Sequence, residues 1–174
     1  MLFDKGIGHY IDAARAIKNK YNSKVEFYLL GFLDVNNPSS VSKAQMQSWV
    51  DEGVVNYLGV SDRVEDYIAM SDCIVLPSFY REGVPKSLLE AGAMGKPIIT
   101  TDNVGCRETV EHGINGFLCE PRSTESLTIM LEKIINMGYQ DRLKMGNNSR
   151  RKIEMEFNED IVIDKYMKAI NELI

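Results

Sequence analysis

The sequence predicts an α/β domain with a parallel sheet, because two patterns recur along its 174 residues. Short apolar segments alternate with longer amphipathic ones, and two of the short segments end in glycine. Strands that alternate with helices are joined by right-handed crossovers, which gives a parallel sheet covered on both faces. We therefore expect a Rossmann-like sheet with helices on both faces, in one domain over residues 1–174.

Five short segments are predicted to be strands, and each is apolar or β-branched with turn residues at its boundary. The third contains only apolar residues before its final Pro77 and Ser78, so we expect it to be buried on both faces. The five segments are 25–31, 54–59, 73–78, 97–101 and 116–120.

Seven segments have the apolar spacing of amphipathic helices. Ser61 and Asp62 are expected to cap the third, Pro85 to lie in the first turn of the fourth, and Asn158 to cap the last. The last helix carries its own apolar stripe. The seven segments are 8–21, 42–51, 64–70, 85–94, 124–137, 140–156 and 159–173.

The composition excludes several classes of protein. The net charge of −5 lacks the basic footprint that nucleic-acid binding needs. No apolar run approaches the ~20 residues of a membrane span, and residues 1–6 do not resemble a secretory signal. The three cysteines (Cys73, Cys106 and Cys119) have no metal-ligand spacing, so we expect reduced thiols in a cytoplasmic protein without a metal.

The segment 77–91 has the strongest chemical signal. A loop with Glu82 and Gly83 joins a strand to a helix, and ligands of parallel α/β sheets bind at this edge. The helix N-terminus suits phosphate, and Gly83 lets a ligand approach the backbone. Glu90 follows about two turns later, roughly 10 Å along the helix. One carboxylate for sugar hydroxyls and one for ribose hydroxyls would fit a nucleoside diphosphate sugar. The spacing of the two glutamates by itself favours the simpler interpretation, in which Glu82 is a loop charge and Glu90 an exposed helix residue.

The order of motifs resembles the C-terminal half of a retaining glycosyltransferase of family 4, which has the GT-B architecture. Within that family it is most similar to hexosyl and N-acetylhexosaminyl transferases of bacterial surface-glycan and lipid-linked oligosaccharide assembly. The resemblance covers nearly the whole chain. Its motifs are Lys5-Gly6, Leu30-Gly31, Leu58-Gly59, Glu82-Gly83-Val84-Pro85, Glu90-Ala91, Gly95-Lys96-Pro97 and Asn115-Gly116-Phe117.

The resemblance implies a role for each matching residue. Lys5 would hold the donor diphosphate, Glu82 the donor sugar and Glu90 the ribose. Gly31 and Val60 would line the phosphate and base region. The backbone around the start of the helix would contact sugar and phosphate, through Gly83, Val84, Pro85, Lys86 and Ser87. The expected donor is a UDP-sugar, with GDP as the alternative nucleotide, and no metal is implied.

The resemblance also implies what lies outside these residues. The family has an arginine shortly before the position of Lys5, and an N-terminal acceptor domain. We therefore expect an isolated donor domain that is truncated at its first strand and transfers no sugar by itself. The acceptor glycan, which the family often carries on a lipid, would contact the other domain at the inner face of the membrane. The last helix usually crosses to that domain.

Two other hypotheses stay open at this level. The chain could be a non-catalytic Rossmann-type nucleotide-binding or sensor module. A dinucleotide oxidoreductase is the weakest alternative, because Gly6-Ile7-Gly8 is not Gly-x-Gly-x-x-Gly. His9 is expected to be an exposed first-turn residue. Arg107 either faces an acceptor phosphate or pairs with Glu108 or Glu111.

Overall fold

The computed structural model describes residues 1–21, 24–81 and 83–172, and within them five strands form two parallel sheets. β1 (Tyr28–Leu29) pairs with β2 (Asn56–Tyr57). β4 (Ile98–Thr101) lies between β3 (Ile74–Leu76) and β5 (Gly116–Cys119). The predicted α/β class and the parallel pairing are confirmed. All five strands are shorter at one or both ends than the apolar segments that predict them.

In the described ranges seven helices flank these strands, and they match the predicted segments to within a residue or two. They are α1 (Ile7–Tyr21), α2 (Lys43–Asp51), α3 (Val64–Met70), α4 (Lys86–Ala93), α5 (Thr124–Asn136), α6 (Tyr139–Glu156) and α7 (Glu159–Asn171). Short 3-10 helices lie at Phe3–Lys5 and Arg107–Thr109. None of the described helices is long and apolar enough to cross a membrane.

The helix starts confirm one predicted cap and correct two. The Asn158 side chain accepts a hydrogen bond from the Asp160 amide at 3.2 Å. The cap position of α3 is Arg63 rather than Ser61 or Asp62, because the Ser61 hydroxyl accepts the Arg63 amide at 3.0 Å and bends the chain before the helix. Pro85 is the cap of α4 rather than its first residue, since its ψ of 126° is extended.

Side chains alternate across β4, which places a hydrophobic core on each face of its sheet. Ile99 belongs to the larger core, where α1 packs on α5. Ile98 belongs to the smaller core with Leu88 and Ala91 of α4, and α4 packs in turn on α6. Helices therefore cover both faces, as the sequence predicts.

β3 does not have the burial that its apolar sequence suggests. Ile74, Val75 and Leu76 are all only partly buried, whereas the four residues of β4 are fully buried. Among the described residues, β3 is the edge strand of its sheet and β4 is the centre. An apolar run thus indicates a strand here, but not its position within the sheet.

The apolar side of α7 is open to solvent. Ile163, Tyr166, Met167 and Ile170 are each about half exposed or more. The expected amphipathic helix is present, and its apolar side chains are exposed in the domain.

Candidate functional site

The residues that follow β1 and β2 meet at one edge of their sheet. The Gly31 amide donates to the Gly59 carbonyl at 2.8 Å, and the Tyr57 hydroxyl donates to the Gly31 carbonyl at 2.8 Å. Gly31 and Gly59 have positive φ angles of 139° and 76°, which favour glycine. The expected positions of Gly31 and Gly59 at the carboxyl end of the sheet are confirmed.

The residues around Lys5 lie against the loop that follows β3. Gly6 packs directly on the Pro77 backbone, and the Phe79 amide donates to the Asp4 carbonyl at 3.1 Å. The Lys5 Nζ lies 5.8 Å from the centroid of the Tyr80 ring. Lys5 is thus held at the β3–α4 loop, where ligands of parallel sheets bind.

The loop between β3 and α4 carries the other predicted donor residues. Glu82 lies outside the described residues. Gly83 and Val84 are exposed, and a side chain at position 83 would meet nothing within 4 Å, so a ligand has free access to this backbone. The Asn103 amide side chain donates to the Tyr80 carbonyl at 3.1 Å and ties the loop to the end of β4.

The N-terminus of α4 is open for an anion. Pro85 caps the helix without a side-chain hydrogen bond, and its carbonyl accepts the amides of Leu88 and Leu89. Lys86 and Ser87, in the first turn, are exposed. Amides of a first helical turn have no partner inside their helix and lie at the positive end of its dipole. This end of α4 suits a phosphate.

Glu90 opens onto a groove between α3 and α4. This groove has a volume of about 220 Å³, and Val64, Glu65 and Ile68 also line it. The Lys86 Nζ lies 3.4 Å from Glu90 Oε1, but the Lys86 side chain is 89% exposed. An exposed ion pair of this kind contributes little free energy, so a ligand hydroxyl can displace it.

Val60 lines a different cavity, of about 570 Å³, with Phe32, Lys43, Gln47 and Tyr57. The predicted site residues therefore lie in three places: Gly31 and Val60 by β1 and β2, Lys5 against the β3–α4 loop, and Glu90 in the α3–α4 groove. Gly31 and Val60 adjoin one another at the same strand ends, whereas Val60 and Glu90 line separate hollows.

Sequence reasoning missed a group of side chains beside this loop. His9 is partly buried rather than exposed: its Nδ1 lies 3.0 Å from Thr124 Oγ1, and its ring packs edge-on against Phe79 at 6.1 Å. The Arg122 guanidinium lies 4.6 Å from the Phe79 ring centroid on the same loop. More than a hundred residues separate His9 from Thr124, so no local pattern could have indicated this contact.

Arg107 pairs with Asp102 at 3.3 Å rather than with Glu108 or Glu111, and its contact with an acceptor phosphate stays a prediction. Across the described ranges, no three His, Cys, Asp or Glu side chains come together as a metal-binding group.

The comparisons with known proteins agree with this geometry. The family model for glycosyl transferases group 1 matches residues 1–137. Among curated relatives, the chain is 30% identical to an N,N'-diacetylbacillosaminyl-diphospho-undecaprenol alpha-1,3-N-acetylgalactosaminyltransferase of Campylobacter jejuni, over 99% of this chain and 43% of that protein. It is also 30% identical to the capsular polysaccharide biosynthesis glycosyltransferase CapM of Staphylococcus aureus, over 98% of this chain and 44% of that protein.

Solved structures share the fold. Alr3699/HepE of Anabaena, crystallised in complex with UDP, superposes with a TM-score of 0.82 at 23% identity, over 97% of this chain and 45% of that chain. The C-terminal domain of LpcC, a glycosyl transferase group 1 family protein of Francisella tularensis, superposes with a TM-score of 0.74 at 21% identity, over 91% of this chain and 82% of that domain. The chain spans less than half the length of the two curated relatives. By its sequence match and its fold, the chain belongs to the group 1 glycosyl transferases.

Proposed function

We propose that residues 1–174 form the donor-binding domain of a glycosyltransferase that uses a nucleoside diphosphate sugar, with UDP as the nucleotide. One observation carries the proposal: the β3–α4 loop meets Lys5 on one side and leads into the open N-terminus of α4, which also carries Glu90. A cation, free helix amides and a carboxylate are the groups that a diphosphate and a ribose need.

Each residue has a defined part in the proposed chemistry. Lys5 and the first-turn amides of α4 stabilise negative charge on the departing nucleoside diphosphate, which lowers the barrier without a metal. Glu90 accepts hydrogen bonds from the ribose hydroxyls. Glu82 accepts them from the donor sugar, a role that rests on the family resemblance alone. Gly31 and Val60 line the phosphate and base region at the ends of β1 and β2.

The choice of UDP and of the acceptor is supported by related proteins. HepE was crystallised with UDP, and the C. jejuni relative is named for an acceptor on diphospho-undecaprenol. We propose that a second domain of a longer parent binds the acceptor glycan, which is lipid-linked. The parent enzyme would then work in the cytoplasm at the inner face of the membrane, in the synthesis of a bacterial surface glycan.

The sheet itself supports a longer parent. β1–β2 and β3–β4–β5 are separate sheets, and residues 1–6 contact the segments that follow β1 and β3. The Met1 amine donates to the Phe32 carbonyl after β1, while Gly6 packs on Pro77 after β3. We propose that a further parallel strand belongs between β1 and β3 and joins the two sheets.

Titration calorimetry of the 174-residue chain tests the proposed function. UDP and UDP-sugars should bind with a 1:1 stoichiometry, and ATP and NAD should not compete. Binding of GDP instead of UDP would mean that the donor nucleotide is GDP, and the proposed binding site would still stand. Absence of binding by every nucleoside diphosphate, together with tight binding of NAD, would contradict the proposal and favour an oxidoreductase domain.

A further inference from the structure

Arg122 has an unusual backbone at the carboxyl end of β5. Its φ is +60°, and Asp34 is the only other non-glycine residue in the described ranges with a positive φ. L-residues with side chains rarely adopt this conformation, and proteins retain it mainly where function requires a particular direction of the chain. In this conformation the chain directs the Arg122 side chain back onto the β3–α4 loop, where its guanidinium lies 4.6 Å from the Phe79 ring centroid.

The contacts around Phe79 hold this arrangement together. The Phe79 amide donates to the Asp4 carbonyl, one residue before Lys5. The ring also packs edge-on against His9, whose Nδ1 contacts Thr124 Oγ1 at the start of α5. Arg122 is thus fixed to the same loop as Lys5, which contacts the adjacent Tyr80.

Among the described residues, which do not include Glu82 of the same loop, no carboxylate forms an ion pair with Arg122. Arg15, Arg107 and Arg150 each form an ion pair with Asp or Glu, but the structure gives Arg122 no such partner among the described residues. A guanidinium that stacks on an aromatic face keeps its N–H edges available, and those edges match phosphate oxygens. In a chain of net charge −5, two cations that contact adjacent residues of this loop, Lys5 at Tyr80 and Arg122 at Phe79, form a local site for an anion.

We propose that Arg122 binds the diphosphate of the donor and acts as a second cation beside Lys5. This inference rests on the proposed function, because it needs the donor diphosphate to lie on the β3–α4 loop. The acceptor of a lipid-linked glycan also carries phosphate. We assign Arg122 to the donor because its contacts are with the loop that leads into α4, whose N-terminus is open for phosphate.

The test compares Arg122→Gln and Arg122→Lys with the wild-type chain in titrations with UDP and with uridine. Arg122→Gln should weaken UDP binding about 10- to 100-fold, the size expected for loss of one charge-assisted hydrogen bond. Uridine lacks phosphate, so its affinity should not change. Arg122→Lys should recover part of the UDP affinity, because the positive charge remains but the planar guanidinium that stacks on Phe79 is lost. The dependence of UDP affinity on salt should be less steep in Arg122→Gln.

Arg150→Gln is the matched control, since it removes an exposed arginine from α6 that pairs with Glu154. It should leave both affinities unchanged. If the wild-type chain binds UDP and Arg122→Gln binds it equally well, the inference is overturned while the proposed function stands. An equal loss of UDP and uridine affinity would also overturn it, because that pattern indicates a distorted loop. If the wild-type chain binds no UDP, it is the proposed function that fails.

Discussion

Gly6 and Pro77 are in direct backbone contact: a Cβ atom at Gly6 would overlap the Pro77 carbonyl oxygen and would also touch its ring. Gly6 also has a φ of +80°, so glycine is required there for two separate reasons. The contact joins the start of α1 to the end of β3. It thereby places Lys5 on the loop that we propose binds the donor.

Gly6→Ala should therefore lower the free energy of unfolding by about 2–5 kcal/mol, as the sum of left-handed backbone strain and overpacking. Urea denaturation measures the change. Gly53→Ala is the matched control, since Gly53 has a φ of +76° but a Cβ there would meet nothing within 4 Å. Gly53→Ala should lower the free energy of unfolding only by the left-handed backbone strain, about 1–2 kcal/mol. Equal losses in the two variants would show that the contact with Pro77 is unimportant.

The packing of α4 on α6 depends on a second close backbone approach. A Cβ at Gly146 of α6 would overlap the carbonyl oxygen of Gly95, just after α4. Gly146→Ala should lower the free energy of unfolding by about 1–3 kcal/mol, because the two backbones must separate. Asn147→Ala, at an exposed position of the same helix, should have little effect. Urea denaturation of both variants measures these changes. An unchanged free energy of unfolding in Gly146→Ala would mean that this close backbone approach does not stabilise the packing of α4 on α6.

The domain should lose stability as the solution becomes alkaline. Burial raises the pKa of the Cys73 thiol to about 12, and burial likewise raises the pKa of the Cys119 thiol to about 12. In the unfolded chain these thiols ionise near pH 8.5. Between these values the unfolded state binds fewer protons than the folded state, so stability falls as the pH rises. From pH 8 to pH 10 we expect a loss of about 1–2 kcal/mol for each thiol.

Urea denaturation at the two pH values measures this loss, and Cys73→Ala is its control. The variant should start less stable at pH 8 but should lose about half as much as the wild-type chain on going to pH 10. Buried Tyr10, whose pKa burial also raises, adds its contribution only at higher pH. A wild-type chain that is equally stable at pH 8 and pH 10 would contradict the buried, protonated state of the thiols.

The fold could be predicted from the sequence where local patterns decide it. Helix bounds followed apolar spacing closely, as for α3, and the parallel pairing of the strands followed from alternating strand and helix segments. The burial of β3 could not be predicted, because an apolar run does not show whether a strand lies at the edge of its sheet. Pro85 indicated where α4 begins, but the sequence did not show whether Pro85 is the cap or the first helical residue.

The candidate site, like the fold, could be predicted from the sequence only in part. The motif around Gly83 and Glu90 indicated a ligand edge because its signals are adjacent in sequence. The contacts of His9 with Thr124 and of Arg122 with Phe79 join residues far apart along the chain. Such contacts depend on how elements distant in sequence pack together, as α1 does against α5 for His9 and Thr124, and no local spacing encodes that packing.

The central claim is that Glu90 binds the ribose of a bound donor and that Glu82 binds its sugar. Calorimetric titration of Glu90→Gln and Glu82→Gln with UDP and with UDP-sugar tests this claim most directly. Glu154→Gln serves as the control for loss of an exposed glutamate. Glu90→Gln should weaken both ligands about 10- to 100-fold, as expected for charge-assisted hydrogen bonds of about 1.5–3 kcal/mol. For a UDP analogue without ribose hydroxyls, Glu90→Gln and the wild-type chain should bind with equal affinity. Glu82→Gln should weaken UDP-sugar and leave UDP almost unchanged. Unchanged UDP binding in Glu90→Gln, or equal weakening of both ligands by Glu82→Gln, would contradict the claim.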